Sequence, residues 1–326
     1  MNVQRPSSSA SRARTTVVLY LQLACLVTGL LAGLSGCDNG GRGGLDPLRE
    51  LERLAFVPVG ECPVTPTLVC ANEVPLLVDR YEVTRGDWRR WQSAGEDASA
   101  RAVIDAWGAD THDLPAGYLN LDEARRYAAS RGMRLLSAAE WIRVASGTSR
   151  QQWPWGYRAI SVANTLELGL RKPAAVGTFE QGSTQLGIYD MLGNVWEWVD
   201  ERIEAPGFGE PARVADDGRG WVMGGSYLTL QRSLLEPYEP VDEIPVYHAE
   251  LDQRHRAIDI GLRCAAEAET YLVEHAPEWG TDARARERLT AIGASWGQAA
   301  LPLLDELAAR DGAAPGLSWL AEGARQ

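Results

Sequence analysis

Apolar positions along the chain fall into three regimes. From Val17 to Leu31 they run almost unbroken; from about residue 46 to 266 they come in short bursts between turn residues; from 267 onward they recur at helical spacing. The first regime follows Arg5, Arg12 and Arg14 and precedes the first acid, Asp38, which is the layout of a secretory signal. In the second, Asp46-Pro47 ahead of Leu48, Leu51 and Leu54 predicts a short amphipathic helix with Asp as its cap. Ala55 to Gly60 and Leu76 to Thr84 predict strands, and Arg85 to Ser93 predicts a helix with Trp88 and Trp91 on one side. Residues 94–117 show no clean period. Asn120 with Glu123, and Ser137 with Glu140, are capping boxes that open two more helices. A long stretch rich in Gly, Trp and Asn then leads to Gly261-Leu262-Arg263-Cys264. Chain this irregular needs internal ties: metal ions, aromatic packing or polar networks. In the third regime Leu289, Ile292 and Trp296 form one stripe and Leu301, Leu304 and Leu307 another, which predicts two or three amphipathic helices. They cover an exposed face of the preceding domain or form a partner-binding hairpin.

Composition narrows the class. The chain has 326 residues, is 45% hydrophobic and carries a net charge of -12. It is globular, long enough for one large domain or two ordinary ones, and too acidic for a general binder of nucleic acid. The apolar run ends in Leu34-Ser35-Gly36-Cys37, which resembles the bacterial lipobox, where the cysteine is lipidated and becomes the new N-terminus. A plain cleaved signal or an uncleaved anchor is the alternative. Residues 1–36 are thus read as a lipoprotein signal and 37–45 as a Gly-rich tether spanning about 15 Å on average. The main domain is 46–266 and the helical extension 267–326. This organisation predicts lipid anchoring in the bacterial cell envelope, on the periplasmic side of the inner or outer membrane. Five cysteines exclude a simple all-disulfide framework. Cys62 and Cys70 bracket a Pro-containing loop and, in an oxidising compartment, pair; two separate buried thiols are the alternative.

A series of blocks in order carries a family resemblance: Tyr81-Glu82-Val83-Thr84, Arg134 to Trp141, Trp153-Pro154-Trp155-Gly156, Ala163-Asn164, Gly187 to Trp198, Gly224-Gly225-Ser226 and Gly261 to Cys264. Together they resemble the formylglycine-generating-enzyme, or sulfatase-modifying-factor, family. The resemblance implies an α+β fold, a C-type-lectin-like variant with little regular secondary structure, here with an appended α-helical tail. Several family blocks carry Trp as core anchors, which fits the twelve Trp of this chain.

Spacing alone makes Asp190, Gly193, Val195 and Glu197 either calcium ligands or partners of backbone amides in a buried turn. The family resemblance implies a structural calcium there, with side-chain ligands from Asp190 and Glu197 and backbone oxygens from Gly193 and Val195. It also implies a second calcium at Asn164 and the carbonyl of Thr165, whose acidic partner falls in a segment shortened here. Trp196 and Ser226 match pocket positions, although a Ser after Gly-Gly is also an ordinary turn residue.

The family's enzymes oxidise a substrate cysteine with two cysteines that hold copper. Aligned from Ser226, those positions are Thr229 and Leu234, neither of them a ligand for a soft metal. No cysteine lies between Cys70 and Cys264, so no copper and no formylglycine-generating activity is expected. Other relatives use iron held by histidines, but His112, His248, His255 and His275 show no close ligand spacing. The sequence thus predicts a catalytically degenerate member that binds a peptide, glycan or envelope protein. The alternatives are an oxidoreductase of different chemistry, metal-dependent and acting on a thiol or amine, and a structural or signalling subunit acting through the tail.

Overall fold

The computed structural model describes residues 46–63, 69–94, 103, 104, 107, 112–147, 153–156, 160–201, 218–230 and 248–326. The signal segment, Cys37, the tether and Leu234 lie outside these residues. Among the described residues no helix is long and apolar enough to cross a membrane.

The chain begins with α1 (Pro47–Glu52), capped by the Asp46 carboxylate, which accepts from Leu48 N at 3.0 Å. β1 (Leu54–Val57) pairs antiparallel with β4 (Leu76–Asp79), and between them β2 (Gly60–Pro63) and β3 (Val69–Asn72) form a separate two-stranded hairpin. Two helices start on the predicted capping boxes, α3 (Leu121–Ser130) at Asn120 and α4 (Ala138–Ser146) at Ser137. α2 (Arg85–Ala94) places Trp88 in the core, stacked on Tyr127 of α3 at 5.4 Å. After β5 (Arg134–Leu135) and a long irregular stretch come β6 (Trp196–Val199), β7 (Arg219–Met223), β8 (His248–Asp252), β9 (Ile260–Leu262) and β10 (Cys264–Glu267).

Two four-stranded sheets result, in the orders β1-β4-β10-β5 and β8-β7-β6-β9. In the second, β6 and β9 run parallel, with Glu197 opposite Gly261. β9 and β10 follow one another in sequence yet belong to different sheets, so Arg263 stands where the chain crosses between them. A mixed fold with long irregular connections is what the sequence predicts.

The C-terminal extension comprises α5 (Ala268–His275), α6 (Ala283–Trp296), α7 (Leu301–Ala308) and α8 (Pro315–Ala324). α6 and α8 lie backbone to backbone: a Cβ on Gly293 would come within 2.0 Å of Leu320 O, and one on Gly323 within 1.9 Å of Thr290 O. The stripe Leu289, Ile292, Trp296 joins the same apolar core as Leu51, Leu54 and Trp88. Trp296 donates its indole N–H to Leu54 O at 2.9 Å and lies 6.1 Å from the Phe56 ring. Arg288 binds Asp46 and Glu52, each at 2.7 Å. Of the two sequence expectations for these helices, the structure displays the covering one.

Cys62 and Cys70 occupy directly opposed positions of β2 and β3 and both are buried. They stand as thiols, so the disulfide expected from their spacing is absent from this structure. The backbone ladder and the packing of the hairpin under α4 close the loop without it.

Candidate functional site

The block from Gly187 to Trp198 leads into β6 through two left-handed residues, Asp190 at φ 58° and Asn194 at φ 58°. Asn tolerates this conformation better than most residues. The turn aims the Asn194 amide into the interior. There its Nδ2 donates to Glu82 Oε2 at 2.6 Å, and its Oδ1 accepts from Asn164 Nδ2 at 3.0 Å and Ala174 N at 2.9 Å. Glu82 also accepts from Val195 N at 3.0 Å. One asparagine therefore joins four stretches of irregular chain.

Next to this hub lies a buried ion pair. Arg263 Nη2 donates to Glu197 Oε1 at 2.7 Å, and Nε reaches both carboxylate oxygens at 3.1 Å. Trp141 Nε1 donates to Glu197 Oε2 at 2.7 Å. Arg263 also donates to the carbonyls of Asp79 at 2.8 Å and Tyr189 at 2.7 Å. Burial opposes the arginine's charge, but Glu197 outweighs it and holds the guanidinium above its ordinary value. Burial, with the fields of Asp190 and Glu197 added, keeps the Glu82 carboxyl well above the usual range. Burial likewise pushes Asp190 up to about 6.

This geometry defines the surroundings of the first expected calcium ligands. Asp190, Gly193, Val195 and Glu197 do lie together, but both Glu197 oxygens are engaged by Arg263 and Trp141, and Asp190 Oδ2 accepts from Gly177 N at 3.0 Å. A carboxylate chelated by a buried guanidinium is poorly placed to serve a divalent cation as well. Among the described residues no group of three or more His, Cys, Asp or Glu is arranged to hold a metal ion. The sequence missed Arg263 as the partner because the two residues are far apart in the chain.

The second expected set behaves differently. Asn164 and Thr165 are fully buried, and Asn164 Oδ1 and Thr165 Oγ1 have no hydrogen-bond partner. The Thr165 carbonyl, the ligand expected from sequence, accepts from Leu168 N at 3.2 Å instead. Two orphaned oxygens on consecutive buried residues suit a hard cation.

At the pocket positions, Trp196 is partly buried and packs against the main core. Ser226 is fully buried; its hydroxyl donates to Asp259 Oδ2 at 2.7 Å and accepts from Leu228 N at 3.1 Å. It stands as a buried turn residue, one of the two readings its sequence context allows. Thr229 closes the same turn, its Oγ1 accepting from Ser226 N at 2.9 Å. The Thr229 carbonyl accepts from Leu166 N at 3.0 Å, which ties this turn to the 166–170 loop. Leu228 and Leu230 are 50% and 42% exposed, and Leu168 and Leu170 on the tied loop are 36% and 43% exposed. These exposed leucines were not singled out in the sequence, because isolated leucines in irregular chain carry no period.

Residues 62–268 match the model of the sulfatase-modifying factor enzyme 1-like domain. The chain belongs to that family. Among relatives, hercynine oxygenase of Mycobacterium tuberculosis is 32% identical over 215 residues, 51% of this chain and 48% of that protein. The chain thus matches about half the length of that relative. The formylglycine-generating enzyme of Mycobacterium tuberculosis is 27% identical over 65% of this chain and 80% of that protein. The inactive C-alpha-formylglycine-generating enzyme 2 of Bos taurus is 29% identical over 38% of this chain and 41% of that protein. Among solved structures, PvdO from Pseudomonas aeruginosa shares the fold, with a TM-score of 0.50 at 20% identity over 66% of this chain and 94% of that one. The sulfatase-modifying-factor domain therefore supplies the scaffold, and the hub around Asn194 and the Arg263–Glu197 pair are what its signature blocks build in this chain.

Proposed function

We propose that the chain is a catalytically degenerate sulfatase-modifying-factor-like lipoprotein, anchored in the bacterial cell envelope through Cys37, that binds a partner on the face around Thr229. One observation carries this reading. Where the family resemblance calls for a copper-binding cysteine, the chain has Thr229, whose hydroxyl is spent on its own turn and whose neighbours are exposed leucines. A hydroxyl is a hard oxygen donor and not a ligand for soft copper(I). The exposed Leu228 and Leu230 beside it instead favour apolar side chains of a partner. Of a peptide, a glycan or an envelope protein, this surface therefore favours the peptide segments of a protein. The inactive formylglycine-generating-enzyme relative supports loss of chemistry on a retained scaffold.

The test is capture of partners from native envelope by the lipidated protein, with Leu228→Asp/Leu230→Asp as the comparison. Partners retained by wild type are lost from this variant. Equal capture by both overturns the assignment of the face. Cys37→Ser is expected to release the protein from membranes.

A second reading is an oxidoreductase of different chemistry acting on a thiol or amine, favoured by the hercynine oxygenase relative. Oxygen consumption on a small thiol with added iron or copper would establish it. A structural calcium at Asn164 and Thr165 belongs to either reading, supported by their orphaned oxygens.

A further inference from the structure

The hairpin β2–β3 and the helix above it hold a buried arginine that pairs with no acid among the described residues. Arg143 is 2% exposed, and its Nε has no hydrogen-bond partner. Its guanidinium lies close over Gly60, where a Cβ would come within 2.5 Å of Nη2 and 3.1 Å of Nε. Gly60 is two residues from Cys62, so both face the same side of β2. Cys70 is directly opposite Cys62 on β3. Other charged groups nearby are turned elsewhere: Glu61 is exposed on the opposite face of β2, and Glu140 of α4 is bound by Arg134 at 2.7 Å. Burial disfavours the arginine's charge, and Cys62 is the group whose field favours it.

A buried cation without a counter-ion costs several kcal/mol, so the fold gains whenever an anion forms beside it. A thiolate at Cys62 is that anion: it stands on the same side of β2 as Gly60, and its field favours the guanidinium charge. We infer that Cys62 and Cys70 form a redox-active dithiol in which Cys62, paired with Arg143, is the attacking sulfur and Cys70 the resolving one. Burial pushes the Cys70 thiol up to about 12, with the charge of Cys62 adding to it, which fits this division of roles.

The oxidant is a small disulfide. The Cys62 thiolate attacks one of its sulfurs; the donor S–S bond breaks and one thiolate leaves, taking a proton from solvent. Cys70 then loses its proton and attacks the Cys62 sulfur, expelling the second half of the donor as a thiol. Two electrons pass from the cysteine pair to the donor, and the Cys62–Cys70 bond forms.

Both sulfurs lie on one tryptic fragment, from Leu54 to Arg80, so their reactivities can be compared in the same molecule. Any local opening that admits a reagent exposes both, and the ratio cancels it. With limiting iodoacetamide at neutral pH, Cys62 of the full chain is expected to be alkylated about tenfold or more faster than Cys70. Arg143→Lys keeps the preference and Arg143→Met loses it. With oxidised glutathione, wild type loses two hydrogens from this fragment. Cys70→Ser accumulates a glutathione adduct on Cys62, and Cys62→Ser accumulates little on Cys70. Equal alkylation of the two sulfurs in wild type, or equal adducts in the two serine variants, overturns the inference even if the Arg143 variants fail to fold.

Discussion

Arg263 and Glu197 meet at 2.7 Å with each side chain 1% exposed, at the crossing between the two sheets. Removing one partner leaves the other charged, buried and unpaired. Glu197→Gln and Arg263→Met should each cost about 3–5 kcal/mol, read by urea unfolding. The double variant should cost clearly less than the sum, because neither charge is then orphaned. Additive losses would mean that the two act independently.

Calcium dependence separates the two expected sites. If Asn164 and Thr165 hold the ion, chelator lowers the melting temperature of wild type and leaves Asn164→Ala unchanged. Glu197→Gln is less stable with or without calcium but still responds to chelator. Loss of the response in Glu197→Gln with its retention in Asn164→Ala would return the ion to the first site.

Asp87 gives an acid-side signature. It accepts from Thr84 N at 3.0 Å, Thr84 Oγ1 at 2.6 Å and Arg53 Nη1 at 2.7 Å. Burial opposes its charge, but Arg53 and Thr84 prevail and hold the carboxyl at about 2, below the ordinary 3.8. A carboxyl lowered on folding stabilises the protein above its unfolded value. That contribution, about 2 kcal/mol, is therefore complete above about pH 4 and disappears as pH falls toward 2. Unfolding midpoints measured across this range should fall more steeply for wild type than for Asp87→Asn.

Trp296 anchors the C-terminal helices to the main core through Leu54 O and Phe56. Trp296→Ala should cost about 3–5 kcal/mol and leave a single unfolding transition. A separate early transition, with the rest of the chain unaffected, would show that the helices form an independent module.

Local rules made several of these features legible in the sequence. Asn120 with Glu123 and Ser137 with Glu140 form reciprocal caps over three residues, so their helices start where spacing predicts. Leu289, Ile292 and Trp296 fall on one buried stripe for the same reason. The Glu197–Arg263 pair joins residues far apart in sequence, and no local pattern announces it. Asp190 and Glu197 read as cation ligands from spacing alone, and that spacing carries no sign of the guanidinium on Glu197. The Cys62–Cys70 spacing revealed their apposition but not Arg143, which arrives from a different helix. Thr229 marked the missing cysteine, while the leucine surface around it needed the Leu166–Thr229 tie to become visible.

The most direct test of a retained scaffold without its oxidation chemistry uses a peptide carrying a sulfatase-type cysteine. It is incubated with the full chain, copper(I) and oxygen, then measured by mass spectrometry. The predicted result is a peptide that keeps its cysteine sulfur, with no aldehyde formed. Conversion of that cysteine to formylglycine above the protein-free control would contradict the absence of catalysis at Thr229.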